Sequence, residues 1–72
     1  MNAKTLYRNT EHGITVRLFA CLTGDIILIT WVAIQAMVSV GGRYNEWEHV
    51  KYYFAPLPCH VFDQIERAVL QG

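Results

Sequence analysis

The sequence predicts an α+β fold: a four-stranded antiparallel sheet with two C-terminal helices packed on one face. Three observations predict it. Residues 14–21 alternate with a period of two; the apolar spacing changes to threes and fours after Asn45; and Pro56 and Pro58 divide that helical half in two. Strands first and helices second is the α+β order. A 72-residue chain is a single small domain, covering 1–72, and is marginally stable unless its core is dense. At 53% hydrophobic residues the core is expected to be dense.

A short strand over residues 3–7 is expected to open the sheet. In the run ITVRLFAC, Ile14, Val16, Leu18 and Ala20 share one face, and Thr15, Arg17, Phe19 and Cys21 share the other. Gly24 supplies the positive φ of a tight turn, so Thr23-Gly24 is read as a two-residue hairpin loop. That register sets Ala20 opposite Ile27, Leu18 opposite Ile29, Val16 opposite Trp31 and Ile14 opposite Ala33, an apolar core face. The other face pairs Cys21 with Ile26, Phe19 with Leu28, Arg17 with Thr30 and Thr15 with Val32. Residues 37–43, MVSVGGR, form a further strand ended by Gly41-Gly42. The connection before it, residues 34–37, holds no Gly, Pro, Asn or Asp and so gives no turn signal.

In the second half, Asn45 is placed to cap a helix, with Glu48 at capping-box spacing. Trp47, Val50, Phe54 and Leu57 make its apolar stripe. Pro56 ends it near Ala55, and Pro58 suits the first turn of a second helix. There Val61, Phe62, Ile65, Ala68 and Val69 face the core.

Six basic and six acidic residues give zero formal net charge. Phosphate neutralisation needs clustered Lys and Arg, so no direct nucleic-acid partner is expected; the same balance argues against acidic DNA mimicry, and high hydrophobicity with few charges argues against disorder. Cys21 and Cys59 are read as free thiols filling core or near-core space in a reducing cytosol, and the mostly polar residues 1–13 predict no signal peptide. The uncharged run over residues 26–42 falls short of the roughly 20 residues a spanning helix needs. It is rich in strand formers, so it is read as buried strands, with no membrane partner.

Catalytic signatures are lacking. Gly41-Gly42 is not a phosphate loop, Ser39 sits in no nucleophile motif, and Cys59-His60 would diverge by about 100° on a helix. His12, His49 and His60 have no zinc-ligand spacing with the cysteines and are read as surface residues. Glu46, Glu48, Asp63 and Glu66 are read as solvated charges, Glu48 with Tyr52 or the helix start as its neighbour. The expectation is a non-enzyme with no metal and no cofactor, whose work is done by a surface.

The outer sheet face is where that surface is expected. Phe19, Cys21, Ile26, Leu28 and Val32 stand where a one-sided sheet normally shows polar residues; only Thr15, Arg17 and Thr30 are polar. Contiguous apolar patches have occupants. A partner, a second copy of the chain, or the N-terminal segment would each satisfy this one. Phe19 and Leu28 are the candidate anchors and Arg17 a charged rim.

Tyr7, Thr10 and His12 (Y-x-x-T-x-H), Gly24, Ser39-Val40-Gly41 with Arg43, Phe54, Leu57-Pro58, Ile65-Glu66 and Ala68 occur in one collinear order. That order resembles the small phage-encoded type I-F anti-CRISPR proteins of four antiparallel strands followed by two helices, over nearly the whole chain. The resemblance implies binding to the repeated backbone subunits of the CRISPR surveillance complex (Cascade) in the bacterial host cytoplasm. Target DNA would then be kept sterically from the guide RNA. In that family two tyrosines and a glutamate on the open sheet face dominate binding. Tyr7 matches the first tyrosine, whereas Cys21 and Val32 stand at the other two positions, and Ala36-Met37 replaces an Asn-Gly turn. The expected partner-binding set is therefore Tyr7, Arg17, Phe19, Cys21, Leu28, Thr30 and Val32. The alternative is a small homodimer, structural or regulatory, pairing through the same apolar face.

Overall fold

Four strands and two helices account for most of residues 3–40 and 44–71, the residues that the computed structural model describes. The strands β1 (Ala3–Asn9), β2 (Ile14–Phe19), β3 (Ile26–Trp31) and β4 (Ile34–Ser39) form an antiparallel meander in sequence order. The helices α1 (Tyr44–Tyr53) and α2 (Cys59–Gln71) follow, α1 packing on β4 and α2 on β1 and β2. This is the expected α+β architecture.

The core lies between the sheet and the helices. Ile14, Val16, Ile27, Ile29 and Val38 from the sheet meet Val50, Phe54, Leu57, Val61 and Ile65, all 6% exposed or less. All but Val38 are among the residues that the two periodicities assign to the inner faces; Leu18, Trp31, Trp47, Phe62 and Val69, assigned there too, are only partly buried against this core, and Ala20 and Ala33 are exposed beyond the strand ends. Between the helices the chain turns on two buried side chains. The Phe54 N–H still donates to the Val50 carbonyl, the Leu57 N–H donates to Phe54, and the Pro58 carbonyl accepts from Val61 and Phe62 to start α2. Pro58 thus precedes the helix instead of sitting in its first turn. The Phe54 ring meets Trp31 at 5.9 Å between centroids, locking this joint to the sheet.

Three sequence expectations are corrected. In the β2–β3 pairing, Ile14 stands opposite Trp31 and Phe19 opposite Ile26, a slip of two residues from the expected register. A slip of two preserves which face each side chain occupies, so alternation alone cannot detect it. The tight turn is Val32-Ala33, between paired Trp31 and Ile34, so β3 must end at Trp31 and residues 20–25 become the longer loop. Within that loop Gly24 does take a positive φ of 125°, its N–H donating to the Cys21 carbonyl. Consequently β4 begins at Ile34, earlier than expected; Gly41, Gly42 and Arg43 lie outside the described residues. Finally, α1 already includes Tyr44, so Asn45 lies inside the helix and not at the position before its first residue.

The uncharged run over residues 26–42 is therefore divided among β3, the turn and β4 as far as it is described. Among the described residues no helix is long and apolar enough to cross a membrane.

Two stability predictions follow from this packing. Val32 holds φ at 53°, a left-handed conformation that costs a β-branched residue about 1–2 kcal/mol. Val32→Gly relieves this at some cost in chain entropy and is expected to stabilise by roughly 0.5–1 kcal/mol in urea unfolding. Phe54→Ala removes the joint's buried ring and is expected to cost about 3–5 kcal/mol, enough to abolish the cooperative transition of so small a domain.

Candidate functional site

The sheet has one covered face and one open face. Register fixes the open one as three rows across the strands: Ala3, Phe19, Ile26 and Ser39; Thr5, Arg17, Leu28 and Met37; Arg8, Thr15, Thr30 and Gln35. None of these side chains is buried. Phe19, Ile26 and Leu28 are half-buried, and Met37 is 70% exposed. The result is an apolar patch across β2, β3 and β4, bordered by the Arg17 and Arg8 guanidinium groups and by threonines. Phe19 and Leu28 are diagonal neighbours, not direct partners, because of the two-residue slip; both remain on the open face. Met37 completes the patch and was not anticipated, since β4 was expected to start with it. The alternation of Gln35, Met37 and Ser39 would have placed it had the Val32-Ala33 turn been recognised.

Of the seven candidate residues, Arg17, Phe19, Leu28 and Thr30 occupy this face. Cys21 and Val32, expected there too, lie beyond the strand ends. Cys21 is in the loop after β2, and Val32 is 77% exposed in the β3–β4 turn. Tyr7 is on the opposite side. The β1–β2 register shifts between Thr5, opposite Arg17, and Tyr7, opposite Val16, so Leu6 is an inserted residue. Without this bulge Tyr7 would share the open face with Thr5; with it, the ring turns toward the helices.

There Tyr7 has a structural task. Its hydroxyl donates to Oε1 of Gln64 on α2, and Asn9 Nδ2 donates to the same hydroxyl at 3.1 Å. Asn9 Oδ1 in turn accepts the His12 backbone N–H at 3.1 Å, and the His12 ring sits edge-on to His60, 6.5 Å between centroids. The Y-x-x-T-x-H segment therefore pins the β1–β2 hairpin to α2.

The acidic residues are also engaged. Glu66 accepts the Trp47 indole N–H at 2.8 Å and lies 3.9 Å from the Lys51 ammonium, while Trp47 stacks on Phe62. This clasp joins α1 to α2, so Glu66 is not simply a solvated charge. Glu48 pairs with Lys51 at 3.5 Å, not with Tyr52, and Glu46 accepts from the Ser39 hydroxyl at 3.1 Å. Cys21 and Cys59 are free and exposed, not core filling, one in a loop and one on the outward side of the first turn of α2. Among the described residues no group of three or more His, Cys, Asp or Glu is placed to hold a metal ion.

Comparison with protein-family models, curated proteins and solved structures finds no match.

The different positions of Tyr7 and the open face make separable predictions. Tyr7→Phe removes the bond to Gln64 and is expected to lower stability by about 0.5–1 kcal/mol in denaturant titration, without changing any binding made by the open face.

Proposed function

We propose that this protein is a non-catalytic inhibitor. It docks its open sheet face on the protein backbone of a type I CRISPR surveillance complex in the host cytoplasm and sterically prevents target DNA from pairing with the guide RNA. The observation that carries this reading is the uncovered patch of Phe19, Ile26, Leu28 and Met37 beside Arg17. A partly buried aromatic and its aliphatic neighbours, with a guanidinium at the edge, have the composition of a protein–protein hot spot. The collinear resemblance described above supplies the identity of the partner. Zero net charge favours occlusion over phosphate binding.

Steric occlusion is a sufficient mechanism. Guide–target pairing replaces a DNA duplex with a heteroduplex of similar stability, so the exchange is near balance. A protein that covers the channel, or holds neighbouring subunits apart, needs to supply only a few kcal/mol to stop it. Arg17, Phe19, Leu28 and Thr30 are the contacts proposed here; Tyr7 acts indirectly, by holding the β1 end of the sheet to α2.

The test is a gel-shift assay of target DNA with purified type I complexes, with and without excess inhibitor. Loss of DNA binding is expected, together with co-elution of the protein and the complex. Phe19→Asp places an uncompensated charge in the patch and is expected to weaken inhibition at least tenfold while thermal unfolding stays cooperative. DNA binding that persists at saturating protein rejects the reading.

A further inference from the structure

The two edges of the sheet are not equivalent. At one edge β1 carries Lys4 and Arg8, is broken by the bulge at Leu6, and is held by α2 through Tyr7. Charges, bulges and covering elements are the devices that keep a sheet edge from pairing with another chain. At the other edge β4 is also tied to a helix, through the Ser39 bond to Glu46 of α1, but its strand reads IQAMVS, with no charge, no proline and an unbroken register against β3. Among the described residues it has a strand on one side only.

The hydrogen-bonding direction of β4 follows from the hairpin. Trp31 and Ile34 flank a two-residue loop and so exchange both backbone bonds; the alternation of an antiparallel ladder then commits Ile34, Ala36 and Val38 to β3. The N–H and C=O groups of Gln35 and Met37 point away from the sheet, into a groove of about 330 Å³ between β4 and α1 that is lined by Glu46, His49, Val50 and Tyr53. Such a row of unpaired groups fits one kind of ligand, an extended strand.

We propose that the occupant is a second copy of this chain, with β4 of one copy antiparallel to β4 of the other. Antiparallel pairing about a two-fold axis normal to the sheet keeps inner and outer faces in line, so residues opposite one another share a face. Centring the axis on Met37 sets Met37 of one copy against Met37 of the other, Gln35 against Ser39, Ala36 against Val38 and Ile34 against Val40. In any such pairing a charge near the axis meets its own copy and repels it. An uncharged strand is what self-pairing requires, and β4 is uncharged along its whole length. Both open faces stay uncovered on the same side of the joined sheet, so this pairing is distinct from face-to-face association and independent of the docking proposal.

Sedimentation velocity of the full chain at tens of micromolar tests it, with a dimer as the expected species. Met37→Pro removes only an outward N–H, and Met37→Lys sets like charges across the axis from an exposed position; each is expected to weaken dimerisation at least tenfold. Phe19→Asp is expected to leave the dimer intact. A wild-type monomer at these concentrations overturns the proposal. So does a dimer that withstands Met37→Lys, or one that Phe19→Asp dissociates.

Discussion

Two short helices carry enough apolar surface to cover one side of a four-stranded sheet, and no more. Every other property of the molecule follows from that limit. Phe54, Val61 and Ile65 meet Ile14, Val16, Ile27 and Ile29 on the covered side, where the hydrophobic effect supplies most of the stability. Nothing in residues 3–40 or 44–71 returns to cover the other side. In a larger domain a second layer would bury Phe19 and Leu28; here these side chains remain partly exposed because none of the described elements lies over them. The patch is thus a direct result of fold size combined with a composition richer in apolar residues than one core can absorb.

The helix joint makes that single layer hold. Pro56 and Pro58 stop α1 and start α2 within a few residues, and the turn between them is anchored by the burial of Phe54 and Leu57. Trp47, Phe62, Glu66 and Lys51 then clasp the helices on the outside. The β1–β2 hairpin is attached separately, by Tyr7 and Gln64 and by the contact of His12 with His60. Tyr7, which reads as a partner contact in the sequence, is therefore occupied with holding the hairpin in place. The residues free to meet a partner are the plainer ones on the open face.

The face assignment was legible in the sequence because it depends only on period two. Ile14, Val16 and Leu18 against Thr15, Arg17 and Phe19 divide cleanly whatever the register. The helices were legible because two prolines and an i, i+3, i+4 stripe mark them. Register was not, since a slip of two residues is silent in alternation and the deciding turn falls at Val32-Ala33. A valine in the left-handed region gives no local signal; its conformation is imposed by the ladder of β3 with β4 and by the bond of its N–H to the Gly13 carbonyl. The bulge at Leu6 was equally hidden, and it alone moves Tyr7 from one side of the sheet to the other. Local chemistry thus indicated which residues are apolar partners, while long-range pairing decided where the strands begin and which way one aromatic ring points.

The asymmetry of the edges limits how far assembly can go. A sheet with two permissive edges adds copies end to end and grows into a filament. With β1 guarded by Lys4, Arg8 and the Leu6 bulge, each chain offers one adhesive margin, and an isologous union uses it up on both members at once. The same bulge that withdraws Tyr7 from the open face thereby helps protect an apolar, strand-rich protein against fibre formation.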